Sequence, residues 1–261
     1  MRRYFDEMEP LGKALTEKQI ADAAENIAEI KKVEAQVAEA VEVVKSQGIP
    51  DEKIKARGQM TVWERIEYLV DPGTWTPLHT IYNPKFNVEE QTNVVDGLAK
   101  INGKWAVVIG FNNKVMAGAW IAGQADNQLR VTDMAKRLRV PLVWIVNCSG
   151  VKLPEQEEVY ADRRGNGTTF FRHAELATLG VPIIAGIYGT NPAGGGYQGI
   201  SPTVIIAHKD ANMAVGGGGI VGGKIMRYGF FNKIVLIQPP AGGGVERRPL
   251  GRGGFCLQLV P

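Results

Sequence analysis

Two continuous apolar runs, Leu142 to Val146 and Pro182 to Ile187, constrain this sequence most, because each empties into a glycine-bearing loop. The first runs into Asn147-Cys148-Ser149-Gly150-Val151. The second passes through Tyr188-Gly189-Thr190 into Asn191-Pro192-Ala193-Gly194-Gly195-Gly196-Tyr197. Apolar runs without alternation, a helix length apart, predict neighbouring strands of a sheet covered on both faces and joined by a crossover. Ligands bind at the ends of such strands. Glycine there admits unusual dihedrals and lets a substrate reach bare N–H groups. One such loop is usually an ordinary tight turn. Two of them, contributing one donor each, could hold a single oxygen as an oxyanion hole does.

The rest of the chain predicts repeated strand, glycine loop and helix units, an α/β architecture with largely parallel pairing. A long amphipathic helix is expected from Thr16, with Thr16 and Gln19 spaced as a capping box and Ile20, Ile27, Ile30, Val33, Val37, Val41 and Val44 on one stripe. Gly48, Ile49 and Pro50 read as its end. That stripe needs a cover, either the domain itself or a partner. A shorter helix over Val62–Leu69 is stopped by Asp71-Pro72-Gly73. Asn102-Gly103 between Val94–Ile101 and Lys104–Gly110 predicts a hairpin with a type I′ turn. Helices are expected over Asp126–Leu138 and Phe170–Leu179, and further strands over Thr203–His208 and Asn212–Val215.

At 261 residues and 44% apolar, the chain can bury a core. A net charge of +3 with no like-charge block gives no sign of nucleic-acid or membrane-surface binding. Cys148 and Cys256 form no disulfide framework, and no histidine pair has metal-ligand spacing, so no metal site is expected. Without an apolar leader or a run near the roughly 18 residues of a spanning helix, the expected location is cytoplasmic.

Other motifs fit poorly. Gly217 to Gly222 satisfies the dinucleotide spacing, but no acidic residue follows at a strand tip, and Ile225 stands where a phosphate loop needs Ser or Thr. Ser149 lacks the nucleophile elbow. Cys148 reads as structural unless His79, His173 or His208 is placed beside it. Arg163, Arg164 and Arg172 could grip a phosphate-bearing ligand or simply lie in a solvated loop. What remains is chemistry done by main-chain donors, such as steadying a thioester enolate.

The segment Thr61-Val62-Trp63-Glu64-Arg65-Ile66-Glu67-Tyr68-Leu69-Val70-Asp71-Pro72-Gly73-Thr74-Trp75 and the two glycine loops resemble the biotin-dependent acyl-CoA carboxyltransferases. Val159-Tyr160-Ala161-Asp162-Arg163-Arg164-Gly165 and Ser201 to His208 are most similar to the branch of that family that acts on glutaconyl-CoA. The resemblance covers roughly residues 1–223. It implies a crotonase-like fold (a ββα superhelix) and transfer of a carboxyl group from glutaconyl-CoA to biotin on a separate carrier subunit, giving crotonyl-CoA. It further implies a homodimer and a sodium-pumping membrane subunit, with this chain held peripherally at the inner membrane through its partners. Carried onto this sequence, the N–H groups of Val151 and of Gly194 or Gly195 would hold the thioester oxygen. Gly150, Gly196, Arg163 and Arg164 would line the CoA thioester. A carboxyltransferase for another short acyl-CoA, or a non-catalytic acyl-CoA-binding fragment, stay open as alternatives.

The expected organisation is an N-terminal helical extension over 1–60, a crotonase-like acyl-CoA-binding domain over 61–223, and a divergent tail over 224–261. That tail, rich in Gly, Pro and Arg, reads as truncated or frame-shifted, with the family's second, biotin-binding domain not following it.

Overall fold

The structure, a computed structural model, describes residues 12–81, 93–161, 163–214 and 216, and the backbone of 249–250 and 254–255. The glycine motif at 217–222, most of the tail, Val215 and Cys256 lie outside the described residues. The chain divides into two compact units, 1–46 and 47–261.

The first unit holds α1 (Glu17–Asp22) and α2 (Ala24–Ser46). The expected capping box is present: the Gln19 N–H donates to Thr16 Oγ1 at 3.3 Å, and the Thr16 N–H donates to Gln19 Oε1 at 3.0 Å. The single helix read from the sequence is interrupted at Ala23. Hydrogen bonds from Ala23 to Gln19 and from Ile27 to Ala23 nevertheless carry the backbone through. No residue of either segment is buried, and Ile20, Ile30, Val33 and Val37 remain exposed.

The second unit begins with α3 (Asp51–Lys55) and α4 (Val62–Leu69). Thr61 and Glu64 start α4 by exchanging bonds, Thr61 N–H to Glu64 Oε2 at 2.8 Å and Glu64 N–H to Thr61 Oγ1 at 3.2 Å. β1 (Thr76–Leu78), β2 (Val94–Ile101) and β3 (Lys104–Phe111) follow, the last two joined at Asn102-Gly103 with φ of 50° and 75°, as a type I′ turn requires. Asp71, read only as a helix stop, also secures this turn by accepting the Asn102 and Gly103 N–H groups at 2.8 and 2.7 Å.

Next come α5 (Ala125–Leu138), β4 (Leu142–Val146), α6 (Gln156–Tyr160), α7 (Gly167–Thr178) and β5 (Ile183–Ile187). The described chain then passes through β6 (Thr190–Pro192), α8 (Gly194–Ile200), β7 (Val204–Ala207) and β8 (Asn212–Ala214), with a small β9–β10 pair (Pro249–Leu250, Gly254–Phe255) far downstream. The main sheet has the order β1-β2-β3-β4-β5-β7. The first two pairings are antiparallel and the remaining three parallel, β4 lying against β5 from Leu142↔Ile183 to Val146↔Ile187.

Alternation sorts the strands between two faces. Val107, Ile109, Phe111, Leu142, Trp144 and Val146 enter the larger core with Val131 of α5 and Leu176 of α7. Val108 and Ile145 turn the other way, onto Val62 and Ile66 of α4. Covering on both sides explains why β4 and β5 read as unbroken apolar runs. Among the described residues, no helix is long and apolar enough to cross a membrane.

Candidate functional site

Because β4 and β5 are parallel neighbours in register at Val146↔Ile187, the loops that leave them start side by side. The loops then touch, through the Asn191 side chain and through close approach of Gly195 to the Cys148 backbone. The Cys148 N–H donates to Asn191 Oδ1 at 2.8 Å, and a Cβ built on Gly195 would stand 2.3 Å from the Cys148 carbonyl oxygen. Gly150 faces the Pro192 carbonyl, 3.5 Å from its would-be Cβ.

The first loop is also held from outside. Met116, Ala117 and Gly118 are consecutively left-handed, with φ of 48°, 52° and 73°. The first two of these are non-glycine residues in a costly conformation. Their carbonyl groups point at Ser149, whose N–H donates to Ala117 O at 3.1 Å and whose hydroxyl donates to Met116 O at 3.0 Å. Two residues on, Trp120 and Val151 form a parallel bridge: the Trp120 N–H donates to Gly150 O at 2.7 Å, and the Lys152 N–H donates to Trp120 O at 2.8 Å. In such a bridge the N–H of the middle residue points away from the partner. The Val151 N–H has no acceptor among the described residues.

The second loop presents the first turn of α8, whose N–H groups have no intrahelical acceptor. Those of Gly194, Gly195 and Gly196 have none elsewhere among the described residues. Ala193, with φ of 48° and ψ of −124°, turns the chain into the helix and donates its own N–H to Ala214 O at 2.8 Å. Beneath the junction lies an aromatic cluster. Trp120, fully buried, meets the rings of Tyr160 and Phe170 at 5.6 and 5.8 Å, and Tyr197 meets Phe170 at 6.0 Å. A Cβ on Gly194 would be 2.5 Å from the Tyr160 hydroxyl and 3.1 Å from the Trp120 ring. Burial raises the Tyr160 hydroxyl above its ordinary pKa, and Cys148 and Tyr197 add to the shift. Tyr160 opens on one side to a hollow of about 560 Å³ shared with Leu153, Pro154, Gln156, Glu157 and Ala161.

The candidate residues thus fall into two groups. Gly150, Val151, Gly194, Gly195 and Gly196 are brought together on the two contacting loops. Arg163 and Arg164 are not part of that junction. Arg164 lines a neighbouring hollow of about 470 Å³ and donates to Asp126 Oδ1 from Nε at 3.0 Å, while Arg130 reaches Asp126 Oδ2 at 2.9 Å. Burial pushes the Asp126 carboxyl up, but these two guanidinium groups together hold it below its usual range. The Arg163 side chain is exposed, and its carbonyl accepts the Thr168 hydroxyl at 3.1 Å. Cys148 is fully buried, its thiol pushed up to about 12 by burial, which fits the structural reading. Asn191, Trp120, Tyr160 and the left-handed turn at 116–118 carry the site's geometry; Asn191 and Tyr160 stand inside the quoted motifs, but no role was legible for them there. Their roles depend on contacts 30 to 43 residues away in sequence.

The model of the carboxyl transferase domain matches residues 53–229. This chain belongs to the carboxyl transferase domain family. The match takes in α4, the main sheet and both loops. The glutaconyl-CoA decarboxylase subunit alpha of Acidaminococcus fermentans is 54% identical over 223 residues, 85% of this chain and 37% of that protein. The biotin-dependent 3-methylcrotonyl-coenzyme A carboxylase beta1 subunit of Mycobacterium tuberculosis is 25% identical over 75% of this chain and 37% of its own length. This chain therefore spans under two fifths of the length of these relatives. Among solved structures, transcarboxylase 12S with methylmalonyl-coenzyme A and methylmalonic acid bound superposes with a TM-score of 0.66. It is 23% identical, over 75% of this chain and 39% of that one. The P. aeruginosa geranyl-CoA carboxylase beta subunit reaches a TM-score of 0.60 at 21% identity, over 84% of this chain and 40% of that one. These likenesses show the crotonase-like α/β fold of the carboxyl transferase domain.

Proposed function

We propose that this chain is the acyl-CoA-binding part of a carboxyltransferase that moves the carboxyl group of glutaconyl-CoA to biotin on a separate carrier subunit, leaving crotonyl-CoA. The observation that carries the reading is the pair of contacting loops, which leaves the Val151 and Gly194 N–H groups without acceptors among the described residues, beside a buried aromatic floor. Two such donors steady the negative oxygen of a thioester enolate, so no strong side-chain base is needed where the co-reactant supplies the electrophile. Gly195 is the alternative second donor, and Gly150 and Gly196 keep the approach narrow and bare. The hollow lined by Arg164 shares Ala161 with the one beside Tyr160, so Arg164 would meet the phosphates of CoA by exchanging its hold on Asp126, with the exposed Arg163 next to it in the chain. Among the described residues none is assigned to biotin. The close similarity to the Acidaminococcus subunit supports glutaconyl-CoA as the substrate. That relative is named as one subunit, which supports partner subunits here; the proposal takes these to be a second copy of this chain, a biotin carrier and a sodium-pumping membrane subunit at the cytoplasmic side of the membrane.

The test is a structure with a non-hydrolysable crotonyl-CoA analogue, paired with an assay for biotin-dependent loss of the γ-carboxyl of glutaconyl-CoA. An acyl oxygen within hydrogen-bond reach of Val151 and Gly194 is expected. One seated away from both loops overturns the reading.

A further inference from the structure

Asn191 is fully buried and makes a different bond to each loop. Its Oδ1 accepts the Cys148 N–H at 2.8 Å. Its Nδ2 donates to Tyr188 O at 2.8 Å, with Asn212 O at 3.3 Å and Gly189 O at 3.4 Å as weaker acceptors. An N–H at one end and three carbonyl oxygens at the other dictate which way the amide faces. A flipped amide would set donor against donor and acceptor against acceptors. The bonded atoms belong to the loop after β4, the loop after β5 and strand β8.

A second contact acts in the opposite sense. Gly195 is packed so tightly on the Cys148 carbonyl that the loops can come no closer, whereas the Asn191 bond keeps them from moving apart. Both limits converge on Cys148, three residues before Val151 and next to the first turn that carries Gly194. Donors of an oxyanion site must sit about 2.7–3.1 Å from one oxygen, and an error of about 1 Å costs roughly a hundredfold. We infer that Asn191 is a positioning residue, tethering the two loops through Cys148 and Tyr188 so that the Val151 and Gly194 amides stand at the separation one carbonyl oxygen can span. This rests on the proposed thioester role of those amides.

Asn191→Asp keeps size and shape. Protonated, the new carboxyl accepts from Cys148 and donates to Tyr188; ionised, it turns acceptor-only against three carbonyl oxygens. The adjacent Cys148 thiol, pushed up to about 12, does not titrate in the same range. Asn191→Leu removes both bonds at every pH. In the isotopically labelled full chain, the Cys148, Val151 and Gly194 amide resonances of N191D are expected to move together in one titration step, and those of the unsubstituted protein to stay fixed. Across that step the preference for crotonyl-CoA over its S-but-2-enyl thioether counterpart, which lacks only the carbonyl oxygen, is expected to fall tenfold or more. N191L is expected to show the low preference throughout. Movement of Cys148 alone, or native preference in N191L, overturns the inference. An unsubstituted protein with no thioester preference overturns the proposed function instead, and the coupled amide shifts then decide the role of Asn191 by themselves.

Discussion

Gly195 sits so near Cys148 that the smallest side chain would bring a carbon to 2.3 Å from the carbonyl oxygen of that residue. The obstacle is backbone, which has no rotamer through which to retreat. Gly195→Ala is therefore expected to push the two loops apart. A stability loss of about 1–3 kcal/mol in urea titration is typical of such overpacking. Affinity for crotonyl-CoA should fall at least tenfold by calorimetric titration, and unchanged affinity in a folded variant would contradict the assignment.

Ser149 and Gly194 separate side-chain from main-chain roles. Among the described residues the Ser149 hydroxyl makes one bond, to Met116 O, so Ser149→Ala should cost about 0.5–1.5 kcal/mol and leave thioester binding intact. Gly194→Val puts carbons against the Tyr160 hydroxyl and the immobile Trp120 ring, and is expected to abolish it. Equal binding by both variants is the result to look for against this view.

Cys148 should behave as an inert core thiol. With its pKa pushed up to about 12 by burial, Cys148 stays a protonated thiol at pH 8. Peptide mapping after iodoacetamide treatment is expected to find Cys148 unmodified in the native protein and labelled after denaturation. Labelling of the native form would restore Cys148 as a nucleophile.

Two buried groups oppose each other in acid. Burial pushes Asp96 up to about 6, moderated by His79 with Nδ1 3.1 Å from Oδ1. Its contribution is full below about 3.8 and is lost as pH rises through 6. Burial pushes His173 down to about 4, so its contribution is full above about 6.5 and is lost as pH falls toward 4. Each is worth up to about 3 kcal/mol and they act over nearly the same interval, which flattens the native profile. Asp96→Asn removes one side of the balance. It should be neutral to stabilising at pH 8, with a steeper decline between pH 6.5 and 4 in urea denaturation than the unsubstituted protein shows.

Local chemistry made parts of this chain legible and left others opaque. The turn at Asn102-Gly103, the start of α4 at Thr61 and the strand at Leu142–Val146 follow from dihedral preference, capping and burial, each settled within a few residues. The glycine loops were visible as loops, and their adjacency followed from parallel pairing of the strands before them. The interruption at Ala23 was not visible, since alanine is the strongest helix former and nothing beside it signals a break. Nor was the left-handed turn at Met116–Gly118, which is imposed by what it bonds, Ser149, 32 residues after Ala117. Arg164 illustrates a further limit: a cationic run reads alike whether it awaits an anion or already holds Asp126. Asn191 has the composition of a turn residue, and only its burial between two loops reveals a strut.

The Trp120–Val151 bridge engages one border of its segment and leaves the Val151 N–H on the other without an acceptor among the described residues. A visiting carbonyl would join as the next rung of a ladder, meeting a hydrogen that every amino acid but proline supplies. On the proposed role, such a centre would ask of position 151 only that hydrogen and a side chain that fits the core it packs on, yet Val151→Pro, by deleting one atom, would silence it.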